Sequence, residues 1–324
     1  MKANIPALVT RPFKKLLRPL FPITGEPHLW RAVRAEQART GSRREGIQAL
    51  RSRFELSELP AANRPVFVLS PTWRCGSTLL QRLLMSSGEI WMWGEVYARL
   101  SQIQRLSSVF TVSHSKYPFP DMYPDSIRDV APEDAWIANL SPDPEHLLRA
   151  HRTFWDSLLG HPAEAKGYAR WGFKEVHLSV DHAWYLRALY PDARIIFLLR
   201  NPYAAWLSYA RYRTWYAHYP DQPIVTAQAF GRLWHRHTAG FLRDASQIDA
   251  FLLRHEDLVS DNDVVRQLEE YVCCTVQRSV LEKRIREGKT VSNVGKRQRT
   301  GWLERKALQR AVEPIAGSLG YEPE

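Results

Sequence analysis

The 324-residue chain is predicted to be an α/β protein, with a central parallel sheet flanked by helices on both faces. Three observations predict it. Short apolar runs alternate with amphipathic stretches along most of the chain, the pattern of a covered parallel sheet. Hydrophobic residues make up 44% and aromatics 11%, ample for a packed core. Three polar segments, Ser70–Ser77, Lys174–Glu175 and Arg200–Asn201, fall where predicted strands end, and open α/β sheets bind ligands there.

The elements follow in order. Residues 27–54 read as one or two exposed, arginine-rich helices. "RPVFVLS" is a strand. "STLLQRLLMSS" is a helix with Leu80, Leu83 and Leu84 on one face and Gly88 as its stop. "EIWMWGEVYARL" passes from a short extended piece into a second helix. Residues 113–145 hold six prolines and little periodicity, as a long loop or lid does. Residues 146–160 read as helix, "RWGFKEV" as a strand and "HLSVDHAWYLRALYP" as an amphipathic helix. "DARIIFLLR" is a buried strand. "NPYAAWLSYARYR" is a helix with Pro202 just inside its start. Residues 226–246 form a helix with a stripe of Phe230, Leu233, Trp234 and Phe241. "IDAFLLRHEDL" is a strand running into a loop. The remainder is helical except for "GKTVSNVGKRQRTGW", a basic loop. The expected division is a basic, mainly helical extension over 1–63 and one domain over 64–324.

The net charge of +11 is uneven. Residues 1–53 carry twelve Lys/Arg against three Asp/Glu, and residues 282–310 carry ten against three. The stretch between them, 54–281, is nearly neutral, with 23 against 25. Basic ends attract anions: an acidic acceptor, nucleic acid or a membrane surface. No nucleic-acid motif accompanies them, so no nucleic-acid partner is expected. "RPFKKLLRPLF" could make peripheral membrane contact, although its prolines weaken the helix. No apolar run reaches membrane-spanning length, and the proline-broken N-terminus lacks a signal-peptide core. Cys75, Cys273 and Cys274 build neither a disulfide framework nor a zinc site. A cytoplasmic protein, monomeric or homodimeric, is expected.

"LSPTWRCGSTLLQRLL" has the layout of a phosphate-binding loop: a strand, a turn with one glycine, two hydroxyls and a helix. A helix N-terminus offers free N–H groups and positive partial charge. Gly76 allows close backbone approach, Ser77 and Thr78 add hydroxyls, and Arg74 adds a cation able to grip an oxyanion. Set on the nucleotide-hydrolase pattern G-x-x-x-x-G-K-[ST], Gly76 replaces the lysine. The strand that should end in a metal-binding acid ends in Arg200. Ser208, two helical turns on, falls roughly on the same face. Such a site is built for anions without a metal. Taken singly, each residue has a plain structural reading: Ser77 as a cap, Arg200 as a strand-end cation, Ser208 as packing, Glu95 as a first-turn helix acid, Lys174 as half of a salt bridge.

Together, "SPTWRCGSTLL" and "FLLRNPYAAWLSY" resemble the 5′-phosphosulfate loop and the 3′-phosphate motif of the sulfotransferases that use 3′-phosphoadenosine 5′-phosphosulfate (PAPS). The resemblance continues through "WGEVYARL", "WGFKEV", "LLRHEDL" and "LGYEP". It covers roughly residues 64–324 and is nearest the tyrosylprotein and carbohydrate branches, bacterial members included. It implies a P-loop-like three-layer fold and PAPS as donor. It implies that Arg74, Cys75, Gly76, Ser77 and Thr78 hold the 5′-phosphosulfate, and that Arg200 and Ser208 hold the 3′-phosphate. Glu95 would be the base, Lys174 would lie near the sulfate bridge and His255 near the adenine. The loop carrying Lys296 and Arg297 would fold over the nucleotide. Two departures stand out: Tyr212 replaces an arginine that some members carry, and "GKRQRTGW" replaces a serine–lysine–tryptophan signature.

The expected reaction is in-line sulfuryl transfer to an acceptor hydroxyl. Glu95 would take the proton, and Lys174 and Arg74 would stabilise the leaving oxygen. Glu175 is the next candidate base, followed by His114 and His177. Cys75 reads as a small residue in a loop where the backbone matters. The acceptor is a hydroxyl on a peptide tyrosine, glycan, lipid or small natural product, with the basic ends favouring an acidic one. The competing readings are a non-catalytic nucleotide-binding protein on the same fold and a P-loop kinase or NTPase.

Overall fold

A computed structural model of the chain describes residues 41–114, 117–118, 122–123, 129–212, 224–282 and 301–323. Lys296 and Arg297, most of the late basic loop and residues 27–40 of the helices expected over 27–54 lie outside them. Ser42–Glu324 form one compact unit.

The sheet has five strands: β1 (Val66–Leu69), β2 (Ile90–Trp93), β3 (Arg170–Glu175), β4 (Arg194–Leu199) and β5 (Ala250–Arg254). Their spatial order is β2-β3-β1-β4-β5, and every pair is parallel. β1 lies at the centre, with Phe67 level with Phe173 on one side and Ile195 on the other. All four β1 residues are buried, as a strand covered on both faces requires. Alternation then divides its side chains. Val66 and Val68 pack with Leu80, Leu83 and Leu84 of α2 (Ser77–Met85) on one face. Phe67 and Leu69 pack on the other with Leu186 and Leu189 of a later helix, Val180–Leu189. The three leucines expected on one helix face are fully buried. Gly88, at φ +76°, follows the turn that ends that helix.

The chain leaves β1 toward β2 and β3, then crosses to β4 and β5 on the opposite side. That reversal opens a crevice beyond the carboxyl ends of β1 and β4, where such sheets take ligands.

The remaining helices cover the faces. α1 (Arg43–Phe54) opens with a capping box made by Ser42 and Glu45. The exposed helix expected here is instead seated on the body. Ile47 and Leu50 are buried in the same cluster as Phe67 and Phe197, and the half-buried Arg43 ties the helix to Ser107 and Asp181. α3 (Gln102–Ser107) and α4 (Pro144–Trp155) follow. α4 passes through a π turn at Asp156–Gly160, and Trp93 Nε1 donates to the Leu159 carbonyl there at 3.0 Å. α5 is the helix Val180–Leu189 already met, and α6 is Pro202–Ala210. Asn201 caps α6, its side-chain oxygen accepting from the Tyr203 and Ala204 amides, with Pro202 in the first turn.

α7 (Ala227–Asp244) buries the predicted stripe of Phe230, Leu233, Trp234 and Phe241. After β5 the expected loop is a helix, α8 (His255–Ser260), followed by α9 (Asn262–Val272) and α10 (Ser279–Glu282). Glu256 and Asp257 sit in the first turn of α8, where acids favour a helix start; "HEDL" therefore reads as a helix opening. α11 (Trp302–Val312) packs on α7, and α12 (Ile315–Ser318) ends the chain. Within 113–145 the described residues hold short turns and the bridge between His114 and Tyr117. Among the described residues, no helix is long and apolar enough to cross a membrane.

Candidate active site

Each of the five strands ends in a residue singled out above. Glu95 follows β2, Lys174 is the penultimate residue of β3, the 70–76 loop follows β1, Arg200 follows β4 and His255 follows β5. Parallel pairing alone brings these ends to one edge.

The loop after β1 is held from below. Ser70 N donates to the Glu175 carbonyl at 3.0 Å. His237 on α7, fully buried, meets the Pro71 carbonyl through Nδ1 at 3.1 Å. Burial, helped by Arg236, pushes the His237 imidazolium down to about 3, so the ring is neutral. Trp73 packs edge-on to His177, with 4.1 Å between centroids. Arg74 takes φ +68° and Gly76 φ +88°, two left-handed residues that turn the chain sharply into α2. Among the described residues no side chain caps α2, which leaves its first amides for a ligand. Ser77 is buried and Thr78 exposed.

Gly76 has a second reason to be glycine. A Cβ there would lie 2.4 Å from Nδ1 of His255. His255 thus sits directly under the phosphate-type loop. Burial first, and Arg200 next, lower its pKa. Cys75 is fully buried, and burial raises its thiol to about 11. It is a packing residue and no nucleophile.

The two anion motifs meet at Arg74. Its Nε donates to Ser208 Oγ at 2.9 Å, and its carbonyl accepts from Arg200 Nη1 at 2.7 Å. Its guanidinium carbon lies 4.9 Å from the Tyr212 ring centre, so the residue that replaces an expected arginine here packs against one. Arg200 is fixed further by its own carbonyl, which accepts from Trp234 Nε1 at 3.1 Å. Arg200 Nε and Ser70 Oγ are buried and have no hydrogen-bond partner among the described residues.

On the other side of β1, Lys174 Nζ pairs with Glu95 Oε1. The turn after β2 therefore delivers Glu95 to β3; Glu95 is no first-turn helix acid. Beside them, Glu175 Oε1 accepts from the Val176 amide at 2.8 Å and meets His177 Nδ1 at 2.9 Å, both side chains being buried. Glu95, Glu175 and His177 bring ligand-type atoms within 4.8 Å of one another. Lys174 pairs with the first of these and His177 with the second. His114 lies away from this corner in its bridge to Tyr117, where its carbonyl accepts from Arg53 Nη1 at 3.2 Å.

Sequence reasoning missed the supports. Glu256 accepts from the Asn201 amide at 2.9 Å and from the Tyr321 hydroxyl at 3.2 Å, tying α8, α6 and the chain end together. The acid at the start of "HEDL" was the available signal. His237 and Trp234 carried none beyond their place in an apolar stripe.

A search of curated proteins found no match. Among solved structures, similarity was found to a sulfotransferase domain from the curacin biosynthetic pathway (15% identity, 83% of this chain and 100% of that one, TM-score 0.46). It was also found to sulfotransferase STF9 from Mycobacterium avium (18%, 74% and 71%, 0.35). Mouse sulfotransferase SULT7A1, complexed with PAP, is a third (12%, 72% and 66%, 0.36), matched over just under two thirds of its length. The family model described as "Sulfotransferase family" matches residues 65–275, from the start of β1 to beyond α9. The chain belongs to the sulfotransferase family, whose enzymes transfer a sulfuryl group.

Proposed function

We propose that the protein transfers the sulfuryl group of PAPS to an acceptor hydroxyl without a metal ion. The observation that carries this reading is the junction at Arg74, where the β1 loop and the β4–α6 motif are hydrogen-bonded to each other. A donor with one phosphosulfate and one further phosphate needs two anion sites at a fixed spacing. The residues present fit such a group. Two guanidiniums and an uncapped helix start lie by the crevice, Arg200 Nε is buried without a partner among the described residues, and β4 is followed by a cation where a metal-binding acid would stand. A kinase or NTPase would need that acid and a loop lysine.

Arg74 and the amides of Gly76, Ser77 and Thr78 would hold the phosphosulfate end; Arg200 and Ser208 would hold the 3′-phosphate. When bound, PAPS supplies an activated sulfuryl group on a phosphate leaving group. The chain's own task is then to deprotonate the acceptor and to neutralise the charge that gathers on the leaving oxygen. Glu95 serves as base, which contributes roughly 10²–10⁴-fold. Lys174, sitting between Glu95 and the β1 loop, supplies the positive charge. The acceptor is a hydroxyl on a peptide tyrosine, glycan, lipid or small natural product, and the basic ends of the chain favour an acidic one.

The test is transfer of labelled sulfate from PAPS to pools of these acceptors. Glu95→Gln and Lys174→Ala should bind 3′-phosphoadenosine 5′-phosphate like wild type and lose about 10²–10⁴-fold in turnover. Full turnover in both would refute the catalytic assignment. Absence of PAPS binding by wild type would refute the donor. A second base is favoured by one observation, the buried Glu175–His177 pair. Turnover that survives Glu95→Gln and falls with His177→Asn would place the base there.

A further inference from the structure

The turn between β2 and α3 carries Glu95 and concentrates backbone strain. Three of the nine non-glycine residues with positive φ among the described residues lie in it: Tyr97 at +49°, Ala98 at +23° and Ser101 at +49°. This conformation is unfavourable for any residue with a Cβ. Elsewhere it has a local use. Glu55, Asp249 and Cys273 close helical turns, as left-handed residues commonly do, and Arg74 turns the β1 loop. Tyr97 instead takes the third place of a turn in which Ala98 N donates to the Glu95 carbonyl at 3.2 Å. Where φ is positive there, glycine or asparagine is the usual residue.

The turn is held at both ends. Val96 and Ile103 are buried in the same core cluster, and Ser101 between them is buried too. Inside it, the Leu100 amide donates to the Tyr97 carbonyl at 2.8 Å and the Ser101 amide to the Ala98 carbonyl at 3.3 Å. What this strained turn displays is apolar: Tyr97 is 58% exposed and Leu100 55%. Burial therefore does not account for a tyrosine at a glycine-type position. Tyr97 stands two residues from Glu95, at most about 7 Å along the chain, and Glu95 is itself fixed by its pair with Lys174. Strain that is kept beside a reactive group, under exposed side chains, points to positioning rather than to stability. The exposed side chains over 96–101 are Tyr97, Arg99 and Leu100. They include no amide or carboxylate of the kind that a sugar's many hydroxyls need as partners, and an apolar ligand body gains most from burial against such a surface.

We propose that Tyr97 and Leu100 are the acceptor's seat and set its specificity: the acceptor hydroxyl is carried on an apolar body, a ring or a short hydrocarbon, that packs on these two side chains and so brings its oxygen to Glu95. The proposal rests on the sulfuryl-transfer reading above and narrows its acceptor. The two residues touch the acceptor's body and take no part in proton transfer, so they govern how tightly it is held.

The test uses the full-length protein with 2-naphthol as the apolar probe and methyl glucoside as the polar one. Each is measured by equilibrium dialysis in the presence of 3′-phosphoadenosine 5′-phosphate, and as an acceptor of labelled sulfate from PAPS. Wild type should hold 2-naphthol at least about tenfold more tightly than methyl glucoside. Tyr97→Asn removes the ring and suits the left-handed turn. It should weaken 2-naphthol binding by about tenfold, the scale of one aromatic contact, and Leu100→Ala by a smaller factor. In transfer, both variants should raise KM for 2-naphthol and leave kcat nearly unchanged, the mark of lost ground-state binding, with nucleotide binding as in wild type. Should Tyr97→Asn fail to fold by circular dichroism, Leu100→Ala carries the test. Transfer to 2-naphthol with binding and KM indifferent to both variants would sink the proposal and leave the sulfuryl-transfer reading standing. Equal binding of the two probes would overturn the apolar body. Loss of 2-naphthol binding in the variants of a protein that takes no PAPS would uphold the seat and remove the donor instead.

Discussion

Gly76→Ala tests the geometry of the β1 loop most sharply. Two separate penalties are expected. Alanine must adopt the left-handed conformation at φ +88°, at about 1–2 kcal/mol. Its Cβ would also stand 2.4 Å from Nδ1 and 2.8 Å from Cε1 of His255, closer than van der Waals contact allows. Displacing a half-buried imidazole packed this way adds about 1–3 kcal/mol, the usual range for overpacking. Together they predict a loss of about 2–5 kcal/mol from urea denaturation, read from the midpoint with m unchanged. The two parts separate in a double-mutant cycle. In a His255→Ala background the clash is gone, and Gly76→Ala should then cost only about 1–2 kcal/mol. Equal cost in both backgrounds would show that His255 does not lie under Gly76. A neutral substitution in both would show that the loop is not left-handed there.

Three further outcomes are expected. His237 has a folded pKa near 3 against about 6.5 unfolded, so its contribution is complete above pH 6.5 and is lost as pH falls toward 3. Wild type should lose about 1.4 kcal/mol per pH unit through this group between pH 6 and 4, and His237→Asn should remove that part of the slope in denaturation curves. Cys75, buried with its thiol raised to about 11, should resist iodoacetamide at pH 8 until the protein unfolds, whereas exposed Cys273 reacts at once; mass spectrometry of timed samples reads both. Asp181, which accepts from the Arg43 and Arg44 amides at 3.0 and 3.1 Å and from Arg43 Nη1 at 3.1 Å, fixes the start of α1. Asp181→Ala should cost about 1–3 kcal/mol, measured by urea denaturation.

The strands were legible because apolar runs bounded by Pro, Asp and Arg mark buried parallel strands whatever their neighbours, and Gly76 and Pro202 mark helix starts locally. The convergence of Ser70–Ser77, Lys174 and Arg200 was legible too, since parallel topology sends every strand end to one edge. What pairs with what at that edge was not. The contact of Lys174 with Glu95 spans 79 positions and that of Arg74 with Ser208 spans 134, and no local pattern encodes such distances. The arginine-rich α1 misled for a related reason. Its polar composition hides two buried residues, Ile47 and Leu50, and two apolar positions on one face suffice to seat a short helix.

The link from Arg74 to Ser208 makes the crevice behave as a ruler. Its two marks follow adjacent strands, Arg74 in the loop after β1 and Ser208 on α6 after β4, and those strands stand about 4.8 Å apart, a spacing set by backbone hydrogen bonds. On the proposed function, the span between the two anions that fit is thus set in part by the sheet. A one-residue slip of β1 against β4 would change that span, and it would also turn Phe67 and Leu69 out of one core and Val66 and Val68 out of the other.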